Sequence, residues 1–165
     1  MSEDWRDAWE VASFIVTALG LPVAILFFAW EQHKERDNEE EEQYQMLSDA
    51  YNDFLKVVLA HPDLQLRSNE PLPDPSPEQR ERMLVIFDML ISLFERAYLV
   101  AYKQDMAETE RRRWNSWDDY MREWCRRDDF HNALPLLLRG EDPEFQEYIR
   151  RIAAEERGPI ILSTY

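Results

Sequence analysis

Glycine is nearly absent from this chain of 165 residues, occurring three times, and cysteine occurs once, at Cys125. So few glycines cannot build a phosphate-cradling loop, and no G-x-G-x-x-G, P-loop or G-x-S-x-G string is present. A single thiol excludes an intrachain disulfide and fits a reducing compartment. Histidine is scarce as well. His33, His61 and His131 stand in no H-x-x-x-H, H-E-x-x-H or C-x-x-C arrangement, so a zinc signature is missing. Cys125 and His131, six residues apart, are the one conceivable nucleophile and base, but a free cysteine in a Trp- and Arg-rich helical segment reads better as a buried core thiol. The sequence therefore assigns no catalytic residue, no cofactor and no metal, and an enzyme is not expected.

Positive charge is also in deficit. Nineteen Lys and Arg face 34 Asp and Glu, a formal net charge of −15, and such a surface repels phosphate backbones. Nucleic acid is not an expected partner. Long β-branched runs are few, which leans the chain towards helices.

What the chain does contain begins with residues 11–30, VASFIVTALGLPVAILFFAW, which carry no charge. About 20 such residues at ~1.5 Å each are needed to cross a hydrocarbon layer. Trp9 and Trp30 flank the run and Trp5 lies a turn further out, as interfacial anchors whose indoles are apolar but carry one N–H. A cleaved signal peptide would need a basic start, and MSEDWRDAWE is acidic; an interfacial helix would need a charged stripe; a buried core helix rarely lacks a polar face over this length. We expect one transmembrane helix through the lipid bilayer. Gly20 and Pro22 near its middle predict a kink, a feature commoner in spanning helices than in soluble ones. Arg6 precedes the span and Lys34 and Arg36 follow it, which places the C-terminal part in the cytoplasm, and the absence of an N-x-S/T acceptor agrees.

The organisation expected is thus a flank (1–10), the span (11–30), an acidic juxtamembrane spacer (31–43), an all-α domain of about four to five helices (44–158) and a tail (159–165). The spacer sets Lys34 and Arg36 against seven acids and has no apolar face. Its consecutive glutamates point around a helix in different directions, which does not suit a metal site. Tyr44, Leu47, Tyr51, Phe54 and Val58 recur at helical spacing, with Leu55 and Leu59 widening the stripe; at two heptads it reads as packing within the domain before a coiled coil between copies. His61-Pro62 ends that helix. A proline-rich loop follows, then Ser76-Pro77-Glu78-Gln79 announces a capping box and a central helix reaching about Gln104, with Met83, Phe87, Leu90, Phe94, Ala97 and Ala101 inward and Leu84, Ile86, Ile91, Leu93 and Tyr98 beside them. Trp114, Trp117, Met121 and Trp124 share a face of the next helix. Asp128 or Asp129 would cap a short helix to Leu134, limited by Pro135, and Asp142 would cap a last helix with Phe145, Ile149, Ile152 and Ala153 inward, stopped by Gly158-Pro159.

One local anomaly points to a ligand. Arg111, Arg112, Arg113, Arg122, Arg126 and Arg127 stand among Trp114, Trp117 and Trp124, and guanidinium beside indole suits a small planar anion or a partner surface. The competing reading pairs those arginines with Glu108, Glu110, Asp118, Asp119, Glu123 and Asp128, one or two turns away, and leaves the tryptophans to the core.

The span at 11–30, the Tyr44–Pro62 helix running into HPDL, FERAYLVAY at 94–102 and the Trp114–Trp124 ladder together resemble small bacterial single-pass membrane proteins with a Trp-rich helical cytoplasmic domain. The resemblance implies a bacterial inner-membrane location and carries no activity or site residue. The function expected is a membrane-anchored interaction domain, a scaffold, sensor or accessory subunit that meets a protein partner or itself. The alternative is a triggered effector whose assembled spans perturb the bilayer, although an all-apolar span supplies no polar pore lining.

Overall fold

A computed structural model describes residues 24–31, 41–68 and 70–157, and every described element is helical. The chain divides into two compact units, Met1–Gln43 and Tyr44–Tyr165. In the first, residues 24–31 form a helix whose Ile25, Leu26, Phe27, Phe28 and Trp30 are each about three-fifths exposed or more, with the Phe27 and Trp30 rings 6.0 Å apart. Among the described residues no helix is long and apolar enough to cross a membrane. The greater part of the expected span, residues 11–23 with Gly20 and Pro22, lies outside the described residues, as do Trp5, Trp9, most of the spacer and the tail from Gly158.

Among the described residues, five α-helices and a short 3-10 turn (Pro62–Leu64) make up the rest: α1 (residues 41–60), which enters the second unit at Tyr44, then α2 (Pro77–Ala101), α3 (Glu108–Cys125), α4 (Asp128–Leu137) and α5 (Pro143–Arg157). Side-chain contacts fix their directions. Tyr44 meets Arg113 and Phe54 meets Trp124, so α1 and α3 run parallel. Tyr98 meets Trp114 while Phe87 meets Trp124, so α2 runs against them. Trp114 meets Tyr148 and Arg122 meets Glu156, so α5 runs with α3. Phe130 at the start of α4 packs on Phe87, and the turn after α4 returns to Glu95, so α4 descends beside α2. The chain thus traverses the bundle five times in alternating directions.

The stripes read from spacing become the core. Leu47, Tyr51, Phe54 and Val58 of α1 are buried, as are Leu90, Ile91, Phe94 and Ala97 of α2, Trp114, Trp117, Met121 and Trp124 of α3, and Phe145, Ile149, Ile152 and Ala153 of α5. The capping box at α2 is complete: the Gln79 N–H donates to Ser76 Oγ and Gln79 Oε1 accepts from the Ser76 N–H. Asp142 Oδ1 accepts the N–H groups of Glu144 and Phe145, capping α5. At α3 only half a box exists, because Ala107 has no polar side chain and Glu110 reaches back to its N–H.

Several boundaries differ from the expectation. The first helix of the domain already includes residues 41–43, so part of the acidic run is helical. Helix α2 stops at Ala101, three residues early, and Tyr102 turns extended to stack on Tyr98 at 4.6 Å. Helix α4 continues through Pro135 to Leu137. The proline removes one backbone donor, but Leu134, Leu137 and Leu138 are buried around it and the Leu138 N–H still reaches the Leu134 carbonyl. Asp128 and Asp129 do not cap α4 as expected; Arg127 occupies the cap position, and Asp129 turns its carboxylate to Arg127. Leu59 and Leu84 are exposed, since among the described residues no element covers the outer side of α1 or α2 at those positions.

Candidate functional site

The six arginines anticipated as a ligand surface are dealt to different tasks along α3. Arg111 and Arg112 are exposed at its start, where Arg111 donates to the Met106 carbonyl. Arg113 lies 5.3 Å from the centre of the Tyr44 ring, a cation–π contact that ties α3 to α1. Arg122 pairs with Asp118 at 2.7 Å, Glu155 at 2.8 Å and Glu156 at 3.2 Å. Arg126 takes the other oxygen of Glu156 at 2.7 Å. The first three lie in the first two turns of α3 and the last two just past its end, about 22 Å apart. They are not brought together.

The indoles face inward. Trp117 packs against Tyr51 and Tyr120, and Trp124 sits among Phe54, Phe87 and Phe130. Trp114 Nε1–H donates to the Tyr148 hydroxyl at 3.1 Å, and that hydroxyl donates to Asp118, whose other oxygen holds Arg122. Burial first, and then the Asp118 carboxylate, push the Tyr148 hydroxyl well above the usual phenol range. Trp114 and Trp117, buried and partnered in this way, present no open ring face to a ligand.

Arg127 has a role that spacing alone does not reveal. Its side chain is 5% exposed and forms a bidentate pair with Asp129, while one terminal nitrogen donates to the carbonyls of Gln65, Leu66 and Ser68. One guanidinium therefore fastens the loop after α1 to the start of α4.

Other titratable groups offer little chemistry. Burial pushes the Cys125 thiol up to about 12, with Glu156 adding to it, which leaves no thiolate near neutrality. His131 is buried, its Nδ1 has no hydrogen-bond partner among the described residues, and burial together with Arg157 lowers its pKa. Glu141 is pushed up to about 7 by burial and by its neighbours Glu95 and Asp88. Among the described residues no group of three or more His, Cys, Asp or Glu is placed to hold a metal ion.

A concave feature lies elsewhere, where the end of α1 meets the start of α2. A groove of about 310 Å³ has Ile86 as its buried floor and Val57, Val85 and Met89 as its walls. Glu78 and Glu81 stand exposed on its rim. Arg82, at its edge, is held by Asp63 at 2.7 Å and lies 3.4 Å from His61 Nδ1. Val85 is 57% exposed and Met89 45%, one helical turn apart. The sequence signal for this groove was the width of the apolar arc of α2, which exceeds what one buried face can use. Comparison of the chain with protein-family models, with curated proteins and with solved structures found no match.

Proposed function

We propose that the chain is a membrane-tethered interaction protein, a scaffold, sensor or accessory subunit of the kind found in small bacterial single-pass proteins. Residues 11–30 serve as its tether, and the helical domain works by contact on the cytoplasmic side. The observation that carries this reading is the helix at residues 24–31, whose Ile25, Leu26, Phe27, Phe28 and Trp30 are large, apolar and exposed all round it. Full burial of such a side chain is worth about 2 kcal/mol, so with about three-fifths of each still exposed this short helix favours an apolar surrounding by about 6 kcal/mol. It continues an uncharged run that begins at Val11, long enough for a bilayer. The domain itself supports a contact role: Trp114, Trp117, Trp124, Cys125 and four of the six arginines between 111 and 127 are engaged in holding the fold.

The test is fractionation of cells expressing the full chain. The protein should stay with membranes through an alkaline carbonate wash and leave them only in detergent, and Leu26→Arg combined with Phe27→Arg should shift it to the wash. Recovery of the unaltered chain in the carbonate supernatant would overturn the tether. Protease added to intact spheroplasts should spare the domain; digestion there would overturn the cytoplasmic placement.

A further inference from the structure

We infer that the groove between the end of α1 and the start of α2 docks a basic, amphipathic helix of a partner protein. The inference deepens the contact role proposed above by naming its surface, and it does not depend on the tether. Three properties of the groove select the occupant. Its volume of about 310 Å³ is at the low end for binding pockets, with an apolar floor and walls (Val57, Val85, Ile86, Met89) and His61, Glu78, Glu81 and Arg82 around the edge, so it takes apolar side chains of a partner, two of leucine size, that present charge at the rim. Met89 and Val85 are exposed one turn apart, and the thioether of a methionine adapts to the shape of what it meets. That spacing matches the i and i+4 anchors with which a helix lays its apolar face into a groove.

Charge decides between occupants. Glu78 and Glu81 project from the rim, and the one cation there, Arg82, is neutralised by Asp63 at 2.7 Å and has Glu78 at 4.0 Å. An acidic peptide would find no free cation at this rim. A second copy would bring the same two glutamates against their equals, between chains that each carry −15. An anionic lipid surface would be repelled in the same way. A cationic helix is complementary on both scales, at the rim and over the whole surface, and electrostatic steering would speed its arrival. From Met89 back to Glu81 is eight residues of helix, about 12 Å, so the partner needs Lys or Arg about two turns from its apolar anchors.

Methionine methyl resonances provide the test, on the full chain in nonionic detergent, where it is dispersed whether or not it anchors in a bilayer. The probe is an 18-residue synthetic helix with leucines on one face and lysines on the other; its control carries glutamates in place of the lysines. The Met89 methyl signal should move on titration with the lysine peptide, while Met46, exposed at 52% outside the groove, and Met121, fully buried, should not. Affinity should fall about tenfold or more in Val85→Ser, and to a similar degree in the pair Glu78→Gln and Glu81→Gln or on raising salt from 50 to 500 mM (roughly the loss expected when a docked apolar anchor or two rim charges are removed). Unchanged Met83 and Met121 signals would certify that these surface variants are folded. The inference is overturned if Met89 is silent, if Met46 moves equally, if the glutamate peptide binds as well, or if Met89 shifts with protein concentration alone, which would assign the groove to a second copy.

Discussion

Replacement of Arg127 by methionine tests whether one buried cation organises the loop between α1 and α2. Methionine keeps much of the length of the side chain and removes every donor. The loss has two parts. Asp129 is left largely buried, with its carboxylate deprived of a bidentate partner at 2.6 and 3.0 Å. The carbonyls of Gln65, Leu66 and Ser68 lose a shared donor. Breaking a buried pair from one side costs about 3–5 kcal/mol, and a buried polar group left without a partner about 1–3. Gln65 and Ser68 are exposed and their carbonyls can rehydrate, so the low end applies, about 3 kcal/mol. For a unit of this size each kcal/mol lowers the midpoint by about 3–5 °C, giving a drop of about 10–15 °C followed by helical circular dichroism. Amide exchange at residues 66–68 should quicken more than in α5. Arg127→Lys should recover only part of the loss, since an ammonium cannot pair with the carboxylate through a planar fork. A midpoint within 3 °C of the unaltered chain, or loop exchange unchanged despite a large drop, would refute the reasoning.

Three further outcomes follow from the same geometry. Tyr148→Phe leaves the Trp114 N–H and Asp118 without their shared hydroxyl and should cost about 1–2 kcal/mol in urea unfolding; no loss would mean that water replaces the hydroxyl freely. Glu141 has its folded pKa raised from 4.5 to about 7, so the stability it contributes is complete below pH 4.5 and is lost as pH rises through 7. Because Glu141 is part-exposed the swing should be about 1 kcal/mol, and Glu141→Gln should remove it; an equal pH dependence in the variant would refute the assignment. Cys125, buried with its thiol at about 12, should resist a thiol reagent at pH 8 in the folded chain and react only on unfolding, and rapid labelling of the native form would contradict its burial.

What spacing reveals and what it hides follow from how local each feature is. The inward faces of α1, α2, α3 and α5 were legible because a helix repeats every 3.6 residues whatever it packs against, and the caps at Ser76 and Asp142 were legible because donor and acceptor lie within three residues. Spacing shows Arg127 only as one of a basic cluster, since its carbonyl partners lie about 60 residues upstream and are backbone atoms, which leave no mark on composition. A proline stops a helix on local grounds, yet α4 runs on through Pro135 because tertiary burial of the neighbouring leucines outweighs them. The breadth of the apolar arc of α2 shows that some of it must lie outside the core, but whether Val85 and Met89 are covered depends on where α1 ends relative to α2, which spacing does not carry.

An odd number of traverses separates the two poles of the bundle. Tyr44 sits beside the start of α3, whereas Arg157 sits at the far pole, paired with Asp128 and with the Arg126 carbonyl. Tension drawn between those two residues would pull α1 and α5 lengthwise past α3, so their interfaces share the load at once instead of peeling one after another. A bundle strung this way should resist stretching in a single steep rupture, and an optical-trap trace that yields in several small steps would show the load is not shared.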